Sequence, residues 1–210
     1  MAGRAVGPMQ SVRAVSLHFY ITLLYAKIKV IKMAKAQGKI LMSGSDISRS
    51  LKRMAQEIIE HDKGAGQLVL VGIMDGGLPI ANRLAALIEE SEKKKVPVGG
   101  LDVSLYRDDL SIRGKNIEPK KSDISFSIDK KIVILVDDVL FHGRTVRAAL
   151  DSLNDYGRPA KVQLAVLVDR GNRELPIQPD FCGKKISSSP DDQVIATLSE
   201  NGGEDQVVIR

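Results

Sequence analysis

Five consecutive apolar residues, Ile132, Val133, Ile134, Leu135 and Val136, run straight into two adjacent acids, Asp137 and Asp138. An apolar run without polar alternation predicts a strand buried on both faces, as in a parallel sheet. A short loop with Gly143 and Thr145 follows, and then Val146, Ala149, Leu150 and Leu153 recur at helical spacing. The two carboxylates therefore fall at the carboxyl end of a buried strand, the edge at which open α/β sheets bind ligands.

A helix start offers unpaired N–H groups and the positive end of a dipole, which suit a phosphate. Two acids beside a phosphate cradle make sense when the ligand also has hydroxyls or brings a metal ion. A ribose 5-phosphate offers a diol to the acids and a phosphate to the loop. A second strand, 68–73, runs into Met74, Asp75, Gly76 and Gly77. A helix follows it, with Leu78, Ala81, Leu84, Ala85 and Ile88 inward and Pro79 in the first turn. This is a second loop at the ligand edge, where Gly76 and Gly77 allow close backbone approach. Asp75 would repel a diphosphate unless its side chain points away or a cation lies between.

Further elements follow from pattern. Ser45 or Asp46 can cap a helix whose stripe is Ile47, Leu51, Met54, Ala55, Ile58 and Ile59. Its other face carries Arg49, Lys52, Arg53 and Gln56, a solvated face or a phosphate-contacting stripe. His61, near the end of this helix, reads as a dipole cap. Residues 98–106 read as a strand, and 107–116 as a surface hairpin or as a lid that excludes water. Strands are expected at 161–168, 193–198 and 205–209, and Cys182 is read as a small buried residue in a loop. The order of strands and helices predicts one α/β domain, a doubly wound and mainly parallel sheet with a small hood.

Composition bounds the setting. The chain has 210 residues and one Cys, so an internal disulfide is impossible and a reducing cytoplasm fits. The net charge of +5 misleads: seven of the 31 Lys and Arg lie in residues 1–39, and all 26 acids lie beyond them. A nucleic-acid role must rest on a local patch. The apolar stretch near residue 20 is too short to span a bilayer. Residues 1–37 are expected to be a disordered extension or a product of an early start codon, with Met33 or Met42 as the working start. A basic membrane-surface segment is the alternative. Residues 38–210 are expected to form the single domain.

The acids and the His142, Gly143, Arg144, Thr145 loop resemble the phosphoribosyl pyrophosphate (PRPP) signature of type I phosphoribosyltransferases, with His142 in place of a Thr. Residues 105–110, 134–140, 143–147 and above all 163–177 extend the likeness to the PyrR family, pyrimidine-operon attenuation regulators that are also uracil phosphoribosyltransferases. The resemblance covers almost all of residues 38–210. It implies that uracil and PRPP give UMP and diphosphate with Mg²⁺. Asp137 and Asp138 would take the ribose hydroxyls, and Val139, Leu140, Phe141, His142, Gly143, Arg144 and Thr145 would line the PRPP or UMP site. Gly76, Gly77 and Arg107 would face the diphosphate, with Tyr106 and Asp108 also in the PRPP or UMP site and Arg107 catalytic beside the two acids. No direct protein ligand to the metal is implied. Purine-using relatives place an acid at Phe141, so the phenyl ring fits a pyrimidine, with the base near Val168 and Asp169. The likeness also implies a homodimer or larger homo-oligomer that binds pyr leader mRNA through Lys52, Arg53, Arg173 and Lys184. Asn172, Gln178, Gln56 and His61 depart from the family pattern on that side.

Overall fold

The structure, a computed structural model, describes residues 38–106 and 121–210. The 1–37 extension, Arg107, Asp108 and the rest of the expected lid up to residue 116 lie outside the described residues. Strand β1 (Lys39–Ser43) leads into helix α1 (Gly44–His61). Then come β2 (Leu68–Ile73), α2 (Gly77–Glu92) and β3 (Val98–Leu101). After β3 come β4 (Ile132–Leu140), α3 (Arg144–Leu153), β5 (Lys161–Asp169), β6 (Phe181–Lys185), β7 (Val194–Thr197) and β8 (Gln206–Ile209).

Five strands make a sheet in the order β3-β2-β4-β5-β6, parallel at every pairing. Alternate residues of each inner strand enter two separate cores. Leu68, Leu70, Ile134 and Val136 pack with Ile47, Leu51, Ile80 and Leu84 of α1 and α2. Val69, Val71, Val133 and Leu135 pack with Val146, Ala149 and Leu153 of α3. Burial on both faces is why these strands carry no polar alternation. The chain runs outward from β2 to β3 and then returns to place β4 on the other side of β2. The direction of winding reverses between β2 and β4, and that crevice is where such sheets take ligands. A second sheet has the order β1-β8-β7, and β7 and β8 are antiparallel. Arg83 of α2 ties this sheet in, donating to Glu200 and to Asp205 at 2.5 Å each.

Several sequence expectations need correction. The cap of α1 is Ser43, in a reciprocal capping box with Asp46, whose carboxyl falls to about 2 chiefly through the Ser43 hydroxyl. The 98–106 segment is a strand only to Leu101 and then a 3-10 turn, Ser104–Tyr106. Leu150 is 38% exposed, and Ala148 and Ser152 fill the inner face of α3 instead. Cys182 lies on β6, half-buried, and burial pushes its thiol up. His61 does lie in the last turn of α1 as expected. Its ring is near-perpendicular to that of Phe181, with centroids 5.7 Å apart, and its Nδ1 lies 3.2 Å from Asp62, whose carboxylate is buried.

Candidate active site

Strand β4 continues past the acids to Leu140, and Asp137 pairs with Val166 of β5. Asp137 is 7% exposed and Asp138 is half-buried. The Asp138 N–H donates to Asp137 Oδ1 at 3.0 Å, and the Val139 N–H donates to Asp138 Oδ1 at 2.7 Å. Burial nevertheless pushes the Asp138 carboxyl up, because desolvation penalises its charged form more than these bonds favour it. The side chain of Leu140 belongs to the core, so only its backbone borders the site.

The turn after β2 presses on these acids. A Cβ on Gly76 would stand 2.3 Å from Asp138 Oδ2, and one on Gly77 would stand 2.0 Å from the Val136 carbonyl oxygen. Neither fits. The two loops that the sequence separates by some sixty positions are thus in direct contact at the switch point. The Met74–Asp75 peptide is cis, and Asp75 is exposed.

Gly143 starts α3 with φ 92°, a left-handed conformation, and no side chain caps the helix there. An uncapped helix start suits an anion. Residues 169–177 brace this loop from behind. The Glu174 N–H donates to the His142 carbonyl at 3.1 Å, and Arg173 Nη1 donates to the Phe141 carbonyl at 3.0 Å. The Glu174 carboxylate accepts from Arg144 Nε at 2.6 Å and lies 3.5 Å from His142 Nδ1. Asp169 accepts from the Gly171 N–H and from Arg173 Nη2, and its carbonyl accepts from the Ile186 N–H at 2.8 Å. Val168 is fully buried.

Two groups of expected residues are placed elsewhere. The Tyr106 hydroxyl donates to Asp155, just past the far end of α3, and this acid pushes the phenol up. Ten residues of helix separate that end from Gly143, about 15 Å at 1.5 Å per residue. The Tyr106 carbonyl, however, accepts from Arg147 Nη2 at 3.3 Å, so the hydroxyl lies at the far end of α3 while the backbone is tied to a residue of its first turn. Arg173, expected on an RNA face, is inside the site instead. Its side chain is 11% exposed, and it serves Asp169 and the carbonyls of Phe141, Gly171 and Ile177. Lys52 is exposed on α1. Arg53 donates to the Cys182 and Gly183 carbonyls at 2.9 and 2.7 Å, and Lys184 Nζ donates to the Leu41 carbonyl at 2.7 Å. Arg49, Ser50, Arg53 and Lys184 line a groove between α1 and β6. Arg170 and Glu174 received no role from the sequence. Their signal was position: they follow the end of a buried strand within the block of strongest likeness.

A doubly wound sheet with an acid pair and two close-packed loops at its switch point defines a class of sugar-phosphate-binding α/β protein. Residues 39–198 match the profile of the phosphoribosyl transferase domain. The chain belongs to the PyrR family of phosphoribosyltransferases. Bifunctional protein PyrR of Chloroflexus aurantiacus is 52% identical over 171 residues, 81% of this chain and 94% of the relative. Bifunctional protein PyrR of Pelotomaculum thermopropionicum is 51% identical over 177 residues, 84% of this chain and 97% of the relative. Among solved structures, a hypoxanthine phosphoribosyltransferase from Staphylococcus aureus shares the fold with TM-score 0.62 at 23% identity, covering 81% of this chain and 90% of that one. The enzyme of the same name from Trypanosoma cruzi gives 0.63 at 22%, covering 81% and 95%.

Proposed function

We propose that this protein converts uracil and PRPP to UMP and diphosphate, and that its uridine-nucleotide-bound form binds pyr leader mRNA to attenuate transcription. The observation that carries the enzyme reading is the contact of the Gly76–Gly77 turn with Asp138, beside the uncapped helix start at Gly143. Acids, close-approaching backbone and a phosphate cradle then converge on one crevice.

In this reading Asp137 and Asp138 accept hydrogen bonds from the ribose hydroxyls. The backbone of Phe141, His142, Gly143, Arg144 and Thr145 holds the 5-phosphate with the Thr145 hydroxyl. Gly76 and Gly77 bring backbone to the diphosphate, and Arg107 and Asp108 would join it from the lid. The bond from ribose C1 to the diphosphate oxygen breaks, a bond to uracil nitrogen forms, and the nitrogen loses its proton. That nitrogen is acidic already, so the site needs no strong base, and Phe141 stands where a purine enzyme would place an acid. The protein works by holding the reactants in line and by matching developing charge. The Asp169 carbonyl accepts from the Ile186 N–H and would offer its other lone pair to the base.

Members of this enzyme class use Mg²⁺ with PRPP, and the donors present fit a hard cation. Among the described residues no cluster of three or more His, Cys, Asp or Glu forms a metal site. An ion carried mainly by substrate oxygens would need at most one or two carboxylates from the protein. When bound, Mg²⁺ would neutralise charge on the leaving diphosphate.

Residues 38–210 would act as one catalytic unit in a homo-oligomer in the cytoplasm. Among the described residues no helix is long and apolar enough to cross a membrane. The deciding experiment assays uracil, cytosine, hypoxanthine and orotate side by side with PRPP. Turnover with uracil alone supports the reading, and turnover with none of them by folded protein removes it. For the RNA arm, Lys52, Arg53 and Lys184 remain on the α1–β6 side. About three phosphate contacts give a log–log salt slope near −2 for single-stranded RNA. A slope near zero, or equal affinity for an unrelated transcript, would remove that arm.

A further inference from the structure

We infer that Arg170 is a positioning residue that clamps Phe141 and thereby sets the base subsite. The inference rests on the proposed reading that ribose lies on Asp137 and Asp138 and phosphate on the Gly143 helix start.

Arg170 follows the last residue of β5 and is 6% exposed. Its N–H donates to the Leu140 carbonyl at 3.0 Å, which fixes it to the residue preceding Phe141. Its guanidinium is held by Ser188 Oγ at 3.0 Å and by the carbonyls of Asp192 and Ser189 at 2.7 and 3.1 Å. All three acceptors are neutral, and the Asp192 carboxylate favours the charge less than burial opposes it. A leucine would fill this space without the penalty of burying a charge. What a planar cation adds is a flat face for an aromatic ring.

That face lies over Phe141, with Cζ 3.9 Å from the ring centre. His142 stacks on the same ring, with centroids 3.7 Å apart and planes at 27°. Both groups are at contact distance from one ring centre, and non-bonded atoms keep about 3.5 Å apart. They must occupy opposite faces. Arg170, Phe141 and His142 form a three-layer sandwich. Glu174 reaches His142 from outside, and Arg173 grips the Phe141 carbonyl.

Phe141 is half-buried with both faces covered, so it presents its rim. A base joined to ribose on the acids therefore cannot stack on this ring and instead abuts its edge. The rim is the positive part of an aromatic quadrupole and suits the carbonyl oxygens of a pyrimidine dione. Loosening the sandwich should change what the base feels more than what the sugar phosphate feels, because Arg173 and the Glu174 N–H hold the Phe141 and His142 carbonyls independently of Arg170.

The test is calorimetric titration of the full-length protein with UMP and with ribose 5-phosphate. Arg170→Met should weaken UMP binding about tenfold, the affinity equivalent of one cation–π contact, and leave ribose 5-phosphate within about twofold. Arg170→Lys keeps the charge but not the plane and should lose nearly as much. Equal losses for the two ligands would mark a general structural role and overturn the inference, and so would no loss for either. If Arg170→Met does not fold, Phe141→Leu replaces it: loss for UMP alone supports the inference, and equal loss overturns it. Wild-type protein that binds ribose 5-phosphate but not UMP overturns the pyrimidine reading and this inference with it. UMP binding unchanged by Arg170→Met overturns this inference alone.

Discussion

The turn between β2 and α2 and the turn between β4 and α3 leave the same sheet edge from adjacent strands, and both depend on glycine. The reasons differ. Gly76 has an ordinary φ of −81°, and neither it nor Gly77 is among the positive-φ glycines. They are required by space, since any Cβ would collide with Asp138 or with the Val136 carbonyl. Gly143 has room for a Cβ, whose nearest neighbour would be an Ile177 carbon at 3.4 Å, and is required by its φ of 92°. The first turn brings neutral backbone close, while the second combines buried charge with an open helix end. One site thus uses steric proximity on one side and electrostatics on the other.

The contrast can be broken by substitution, and Gly77→Ala should have the largest effect. Its Cβ would meet the backbone of a central strand, which cannot move without disrupting both cores. We expect a loss above about 4 kcal/mol or failure to fold, read by urea unfolding. Wild-type stability in this variant would refute the steric account of the first turn.

Asp138→Asn should separate activity from stability. Turnover should fall at least about a hundredfold, the scale of losing a group that binds developing charge. Stability near pH 7 should rise. Folding raises this carboxyl above its ordinary value of 3.8. The native state therefore holds its proton longer than the unfolded one, and stability falls as pH climbs through that window. The variant's advantage should vanish at pH values below 3.8, as thermal melts across pH would show. A variant less stable at pH 7 would remove the electrostatic account of the second turn.

Gly143→Ala should cost about 1–2 kcal/mol from the left-handed backbone alone and weaken ribose 5-phosphate binding in titration. A cost as large as that of Gly77→Ala would erase the distinction between the two glycine roles. The smallest effect is expected away from both turns. Asp205 is held down to about 2, first by its hydrogen bond from Arg83. Its side chain is 25% exposed, so Asp205→Asn should cost only about 0.5–1 kcal/mol near neutral pH. A depressed carboxyl stabilises above its unfolded pKa, and that contribution is lost as pH falls through about 2. Denaturant midpoints at several pH values would check this, and turnover should hold.

Much of this site was legible in the chain because its elements announce themselves locally. The runs 132–136 and 68–73 could only be strands buried twice over, and the stripe from Ile47 to Ile59 is the buried face of α1 residue for residue. The strands β1 and β6 were not legible. Each is short and lacks a period of two, and β6 contains Gly183 and ends in Lys184 and Lys185. It is a strand because Phe181 and Cys182 pair with Ala165 and Val166 of β5. Such an edge is specified by its neighbour and not by its own propensity.

The sequence by itself determined the α/β class, the acid pair near the carboxyl end of a strand, the glycine turns and the open helix start. Each depends on residues a few positions apart, and periodicity reports those relations directly. The tertiary structure alone decided the rest. It set Gly76 against Asp138, stacked Arg170 and His142 on Phe141, and buried Arg173 against Asp169. It also tied Tyr106 to Asp155. These contacts mostly join residues tens of positions apart, whose meeting depends on strand order and register. A period of two or of 3.6 says which way a side chain faces and nothing about what it will face.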